Sequence, residues 1–401
     1  KLVNLISLKF SITGEKSITF NNSMSAKFPM IVKIAATPYP ATIPNTNGMK
    51  GIKASVAVGI IAGDPNKALE VIANVTDEQK IETQNFLDTT PISVHHINSD
   101  EQLDVTVKLF YDEHNASVRI SGFHTNIVSI QKDNNTIFES NTISAPTKEL
   151  TDRSVLSVEG IYDFANSVDL DDIKDVIERQ LKYNKAISEE GLKNNWGANI
   201  GSLLLNQFGS NVKIKAKAWA AAGSDARMNG CEMPVIINSG SGNQGITVSM
   251  PVLAYAKEYN MDDDRLYRAV TLSNLIAIHQ KTTIGRLSAY CGAISAGCAS
   301  ACGIAYLMNE NLETISQTLV NSLAITSGII CDGAKASCAA KIATAVESGI
   351  LGYEMCKNNK NFCNGDGIIG HNVEKTIQNV GTLASKGMKE TDKVIISIMT
   401  E

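Results

Sequence analysis

Between residues 102 and 139 the chain alternates. DVTVKLFY (104–111), SVRISG (117–122), NIVSIQ (126–131) and TIFES (136–140) carry an apolar side chain at roughly every second position. The turn-formers DEHN (112–115) and KDNN (132–135) separate them. Residues two apart in a strand share a face, so the pattern predicts an antiparallel meander. PMIVKIAATPYPATIP (29–44) opens as a further strand and ends in a proline-rich loop. NTNGMKGIKASVAVGIIAG (45–63) reads as a glycine turn feeding a helix, and DEQKIETQNFLD (77–88) as a solvated helix. From about Leu150 the apolar spacing becomes helical. VDLDDIKDVIERQLKYNKAISEEGLK (168–193) sets Ile173, Val176, Ile177 and Leu181 on one face behind Asp169 as N-cap. Residues 194–209, 212–223, 261–283, 312–328 and 373–388 also read as helical, with a strand as the alternative for 212–216. The expected fold class is α+β: an α+β domain over 1–150 with an antiparallel sheet, then a mostly helical domain over 151–401.

Composition narrows the function. The 401 residues are 43% hydrophobic and 19% charged, as a folded protein of two or three domains requires. Net charge is −5 and no basic stripe carries interleaved aromatics, which argues against a nucleic-acid partner. Leu287 to Asn309 contains no charged side chain and is long enough to span a bilayer. It is built of Ala, Gly, Ser and Cys, whose transfer energy is poor, so the expectation is a buried helix packed through small residues and no membrane. KLVNLISLKF is too short for a signal peptide and lacks a cleavage pattern. Eight cysteines without a secretory leader then point to a reducing, cytoplasmic compartment.

Five of those cysteines fall between Gly285 and Ser348. Cys331 and Cys338 are seven residues apart, about 10.5 Å along a continuous helix. Two thiolates on one zinc ion lie at most about 4.6 Å apart. If both hold one centre, the helix must break between them. Asp332 as N-cap and Gly333 offer the break, leaving Cys331 in a loop and Cys338 inside the following helix, near its positive end. Two loops precede this region. SDARMNG (224–230) pairs Asp225 with Arg227, as a local salt bridge or with Arg227 free to grip a carboxylate. NSGSGNQG (238–245) places Ser241, Gly242, Asn243, Gln244 and Gly245 just before an apolar run, where backbone N–H groups can hold an anion. It has neither the lysine and spacing of a Walker A loop nor a GxGxxG pattern. By packing alone, the cysteines are equally readable as small buried hydrophobes.

SDARMNG (224–230), NSGSGNQGI (238–246), IGRLSAYCG (284–292), GIICDGAKASC (328–338), SGFHTNIV (121–128) and GDGIIGHNVEKTIQNVGTLASKGMKETDKVIISIM (365–399) resemble the L-cysteine desulfidase family. That family is related to the catalytic subunit of iron–sulfur L-serine dehydratases. The likeness runs from about residue 40 to the C-terminus. It implies an oxygen-sensitive [4Fe-4S] centre that eliminates sulfide from L-cysteine to leave pyruvate and ammonia, with Cys291, Cys331 and Cys338 as ligands. It also implies that His124, Thr125 and Asn126 lie near the substrate, with Arg227, the 241–245 loop and Arg286 around its carboxylate and amine. Lys281 and His124 are the candidate bases. Cys298 and Cys302 are expected in the core, and Cys356 and Cys363 repeat the seven-residue spacing around a polar loop.

The family's N-terminal Gly-Cys-Thr-Glu-Pro motif is not found: in the matching register Leu2 stands for its cysteine and Asn4 for its glutamate. Either that segment lies outside this sequence or the site has diverged. L-Serine dehydration, a silent paralogue that only binds an amino acid, and structural zinc at the three cysteines are the alternatives. The seven-residue cysteine spacing favours the desulfidase branch. A homo-oligomer is compatible with the resemblance.

Overall fold

The computed structural model describes residues 29–36, 42–64, 67, 70–97, 99, 101, 103–122, 126–140, 151–285 and 288–400. They form two compact units. The first holds the described residues up to Thr151, with Asp332–Ala334 and the residues from Glu390; the second holds Asp152–Cys331 and Lys335–Lys389.

In the first unit six strands make one sheet in the order β2-β1-β3-β4-β5-β6. They are β1 (Met30–Ala36), β2 (Ile92–His96), β3 (Leu103–Tyr111), β4 (His114–Ser121), β5 (Ile127–Lys132) and β6 (Asn135–Glu139). The alternating segments became β3 to β6, each antiparallel to the next. The sheet is nevertheless mixed rather than wholly antiparallel, because β1 pairs in parallel with β2. A parallel neighbour needs a crossover, and helices α1 (Gly51–Ile61) and α2 (Asp77–Thr89) lie between the two strands. Thr76 and Gln79 form a reciprocal capping box at the start of α2. Val32 and Ile34 are buried with Val105, Val107, Val118 and Ile120. Arg119 holds Asp104 across β3 and β4 with two bonds of 3.0 and 2.6 Å.

The second unit is helical: α3 (Val158–Ser167), α4 (Leu170–Lys193), α5 (Ile200–Phe208), α6 (Val212–Met228), α7 (Gly242–Glu258), α8 (Asp263–Ile284), α9 (Gly292–Leu307), α10 (Leu312–Thr326), α11 (Cys338–Lys357) and α12 (Val373–Thr382). α12 runs into a π turn (Leu383–Gly387), and α13 (Lys389–Thr400) ends the described chain. Ser157, Asp169, Asn211, Ser241, Asp262, Asn311 and Asn372 cap their helices through the side chain, which fixes where each begins. On α4 the buried stripe keeps Ile177 and Leu181, but Val176 is 52% exposed at its edge. Residues 194–199 are a turn rather than helix, with Asn199 left-handed at φ 50°. The 212–216 segment is helical, because its lysines reach neighbouring helices: Lys213 pairs with Glu354, Lys215 with Glu258 and Lys217 with Glu347.

The uncharged segment became α9, buried from Ala293 to Leu307 and packed against α7, α8, α10 and α11. Glycine and alanine let the backbones touch. A Cβ on Gly297 would lie 2.6 Å from Ala345, and one on Gly349 would lie 2.8 Å from the Gly297 carbonyl oxygen and 2.9 Å from Ala301. Four residues onward on α9 matches four onward on α11, so the two helices run parallel. Likewise Gly292 lies against Gln244 and Gly303 against Val252, which sets α7 parallel to α9. Among the described residues no helix is long and apolar enough to cross a membrane.

Candidate active site

Three helices thus start at one end of this unit, and each start carries a segment singled out by the sequence. α7 begins with the glycine loop. Asn238 and Ser241 exchange both backbone hydrogen bonds, at 3.1 and 2.9 Å, around Ser239 (φ 48°) and Gly240 (φ 79°). Two positive φ values in succession make a tight two-residue turn that glycine accepts readily. Ser241 then caps α7 by accepting from the Gln244 N–H. Asn184 holds the segment before the turn, accepting from the Ile236 N–H at 2.9 Å and donating to its carbonyl at 3.2 Å. Gln180 and Asn274 exchange amide bonds of 3.1 and 2.8 Å. From that pair Gln180 reaches the Gly245 carbonyl, while Asn274 receives the Asn238 amide at 2.9 Å. These buried amides fix the loop. Their separations of 36 to 94 positions left no local signal in the sequence.

Arg227 lies over the start of α7. A Cβ on Gly242 would lie 2.9 Å from its Cζ, and its guanidinium donates to Asn243 Oδ1 at 3.1 Å. The salt bridge with Asp225 does not form among the described residues. Asp225 turns instead to α5, where Oδ2 accepts from the Gly201 N–H at 2.9 Å, and burial pushes its pKa up to about 6. It supplies the cap that Asn199 does not, since Asn199 makes no side-chain cap bond. Burial lowers the pKa of Arg227, opposed by the field of Cys338. Arginine, glycine loop and cysteine therefore share one neighbourhood.

Cys291 is the N-cap residue of α9 and Cys338 the first residue of α11. Cys331 lies in the loop between α10 and α11, as expected, with Gly333 at φ 101°. The residue flanking α11 is Ser337, not Asp332, so the chain needs five further residues after the break to enter the helix. A single bridge between Tyr290 and Ile330 joins the two cysteine segments. Cys291 N–H donates to Ile329 O at 3.1 Å and Cys331 N–H to Ala289 O at 2.5 Å. The neighbouring Cys331 thiol, with burial, raises the Cys291 pKa well above the ordinary thiol value. Burial also raises Cys338, opposed in part by Lys341 and Lys335. Lys341 Nζ donates to Ile330 O at 2.8 Å and so ties the loop to α11. Ser288, whose Oγ donates to Ala384 O at 2.9 Å, braces the approach to Cys291 against the π turn.

Three thiols are the donor chemistry that iron–sulfur groups use. Among the described residues no three His, Cys, Asp or Glu side chains gather closely enough to hold a single metal ion. Cys291 and Cys331 lie diagonally across the Tyr290–Ile330 bridge, and Cys338 is within electrostatic reach of both. Cys298 and Cys302 are spent elsewhere, their sulfurs 3.6 Å from Thr326 Oγ1 and 3.7 Å from Ile315 O. Cys356 is half-buried and Cys363 exposed.

The other sequence-named residues divide. Lys281 is buried in the last turn of α8. Asn126 belongs to the first unit and closes the β4–β5 connection, its amide donating to Ser121 O at 2.9 Å. His124, Thr125 and Arg286 lie outside the described residues, as do Leu2 and Asn4.

The family model for the serine dehydratase alpha chain matches residues 66–397, and the chain belongs to that family. More narrowly, it is similar to proteins called UPF0597. It is 52% identical over 357 residues to one from Desulfitobacterium hafniense, covering 89% of this chain and 83% of that protein. It is 50% identical over 357 residues to one from Lachnoclostridium phytofermentans, at 89% and 85% coverage. A third, from Finegoldia magna, is 48% identical over 361 residues, at 90% and 86%.

Proposed function

We propose that the protein is a lyase that eliminates the β-substituent of a small amino acid, L-cysteine, with a [4Fe-4S] cluster held by Cys291, Cys331 and Cys338. The reaction converts L-cysteine and water to pyruvate, ammonia and sulfide. The observation that carries the reading is the convergence of three parallel helix starts, two bearing ligand cysteines and the third bearing the glycine loop under Arg227.

Each helix N-terminus presents unpaired N–H groups and about half a positive charge. The substrate carboxylate binds at the start of α7, gripped by Arg227 and by the Gly242 and Asn243 N–H groups of the 241–245 loop, whose other N–H groups the turn and the cap already use. The same positive field stabilises the negative charge that develops as the α-proton leaves. Lys281 and His124 are the candidate bases for that proton. The cluster, when bound, supplies an iron with no protein ligand that can act as a Lewis acid. Thr125 and Asn126 complete the proposed substrate contacts, the Asn126 amide nitrogen being held by Ser121 O at 2.9 Å. The free cysteines suit a reducing cytoplasm.

L-Serine, losing water, is the second reading, favoured by the name of the matched family; the seven-residue cysteine spacing favours L-cysteine. Protein purified without oxygen is assayed for sulfide from L-cysteine and pyruvate from L-serine. Faster turnover of L-cysteine supports the proposal, and faster turnover of L-serine replaces it with the second reading. Four bound irons with no turnover of either would make this a silent binder, and stoichiometric zinc without iron would make the site structural. Arg227→Met is expected to raise KM without lowering iron content.

A further inference from the structure

We propose that Cys291 and Cys331 form a reversible disulfide when the site is empty of metal, and that this bond withdraws the site from metal binding. The inference rests on the assignment of these thiols to one site, not on which substrate the enzyme takes. Two observations single out this pair among the eight free cysteines. Their segments are held together by the Tyr290–Ile330 bridge and its two flanking backbone bonds, so little chain motion is needed to join the sulfurs. The two neighbouring sulfurs in α9, on Cys298 and Cys302, are wholly buried and engaged with Thr326 and Ile315.

The two sulfurs also differ in access, which orders the steps. Cys331 is half-buried, whereas Cys291 is only 6% exposed. With a low-molecular-weight disulfide such as glutathione disulfide as oxidant, the Cys331 thiolate attacks one sulfur, the small disulfide bond breaks and one glutathione leaves. Cys291 then gives its proton to solvent and its sulfur displaces the second glutathione from Cys331. Two protein thiols are oxidised and one glutathione disulfide is reduced to two thiols. Cys338, on the first residue of α11, stays reduced. A single thiol cannot hold a cluster, so the protein waits in a closed form that a thiol reductant reopens.

The test uses the full chain, stripped of metal and reduced without oxygen, then exposed to glutathione disulfide. Free thiols are alkylated, the protein is digested without reductant and the peptides are weighed. The expected product joins the peptides of Cys291 and Cys331. Iron uptake, followed by cluster absorbance, is expected to fall to background in the oxidised protein and to return with dithiothreitol. Cys338→Ser must still form the link and Cys331→Ser must not, with circular dichroism confirming that both variants fold. A dominant Cys331–Cys338 or Cys356–Cys363 link overturns the proposal, as does glutathione left on Cys331 alone or undiminished iron uptake after oxidation. If the link forms but the reduced protein takes up no iron, the disulfide stands and the lyase reading falls.

Discussion

Gly245→Ala tests whether the substrate loop is as tightly bound as its contacts indicate. The added methyl would overlap the carbonyl oxygen of Ile236 and lie 2.9 Å from its carbonyl carbon. That segment cannot retreat freely, because Asn184 holds Ile236 at both N–H and carbonyl, at 2.9 and 3.2 Å. Relief requires breaking those two bonds, each worth about 1 kcal/mol, and leaves buried amide groups unpaired at about 1–3 kcal/mol more. Replacing a helical glycine by alanine returns about 1 kcal/mol. The expected net loss is about 2–4 kcal/mol, read from urea denaturation followed by helical circular dichroism. KM is expected to rise as well, since the same shift moves the first turn of α7. Gly240→Ala is the comparison: nothing lies within 4 Å, so only its φ of 79° opposes the methyl, at about 1–2 kcal/mol. A Gly245→Ala protein within about 0.5 kcal/mol of wild type, the usual range for surface substitutions, would refute the bracing role of Asn184.

Further outcomes follow from the same contacts. Asp225, pushed up to about 6 from an ordinary 3.8, binds its proton more tightly folded than unfolded. Its contribution is therefore fully present below about pH 4 and is lost as pH rises through 6, a change of about 3 kcal/mol. Asp225→Asn should flatten that part of the stability–pH curve. Glu374 accepts from the Val158 N–H at 2.7 Å and bonds His279 at 2.7 Å. Glu374→Ala unpairs both and should cost about 2–3 kcal/mol in thermal or urea melts. Under the proposed function, stripping iron with a chelator should abolish turnover but leave helical circular dichroism unchanged, because the glycine contacts between α9 and α11 do not involve the cysteine sulfurs.

Local periodicity carried much of the fold. Strands β3 to β6 were legible because each alternates and each turn is polar, and Asp169 was legible because it precedes an amphipathic run. β2 was not. ISVHH is short, carries two histidines and pairs with a strand more than fifty positions earlier, so its partner rather than its own pattern makes it a strand. The lysine alternation of 212–216 admitted two readings until the partners of Lys213, Lys215 and Lys217 on other helices were known. In the site, Cys331 in a loop and Cys338 in a helix followed from rise per residue once the two were taken to share a centre. The cap did not, because Asp332 has the right chemistry but stands five residues too early. Arg227 was nameable, but its neighbours depend on α7 folding back against α6, which no short motif encodes.

The common direction of α7, α9 and α11 has a practical side. Their dipoles add instead of cancelling, so this end of the unit attracts negative ions whatever their identity. Sulfate or phosphate at ordinary buffer strength should then act as competitive inhibitors, strongest in dilute salt and relieved by replacing them with bulkier, weakly hydrated buffer anions. Rates compared between laboratories would differ for that reason alone.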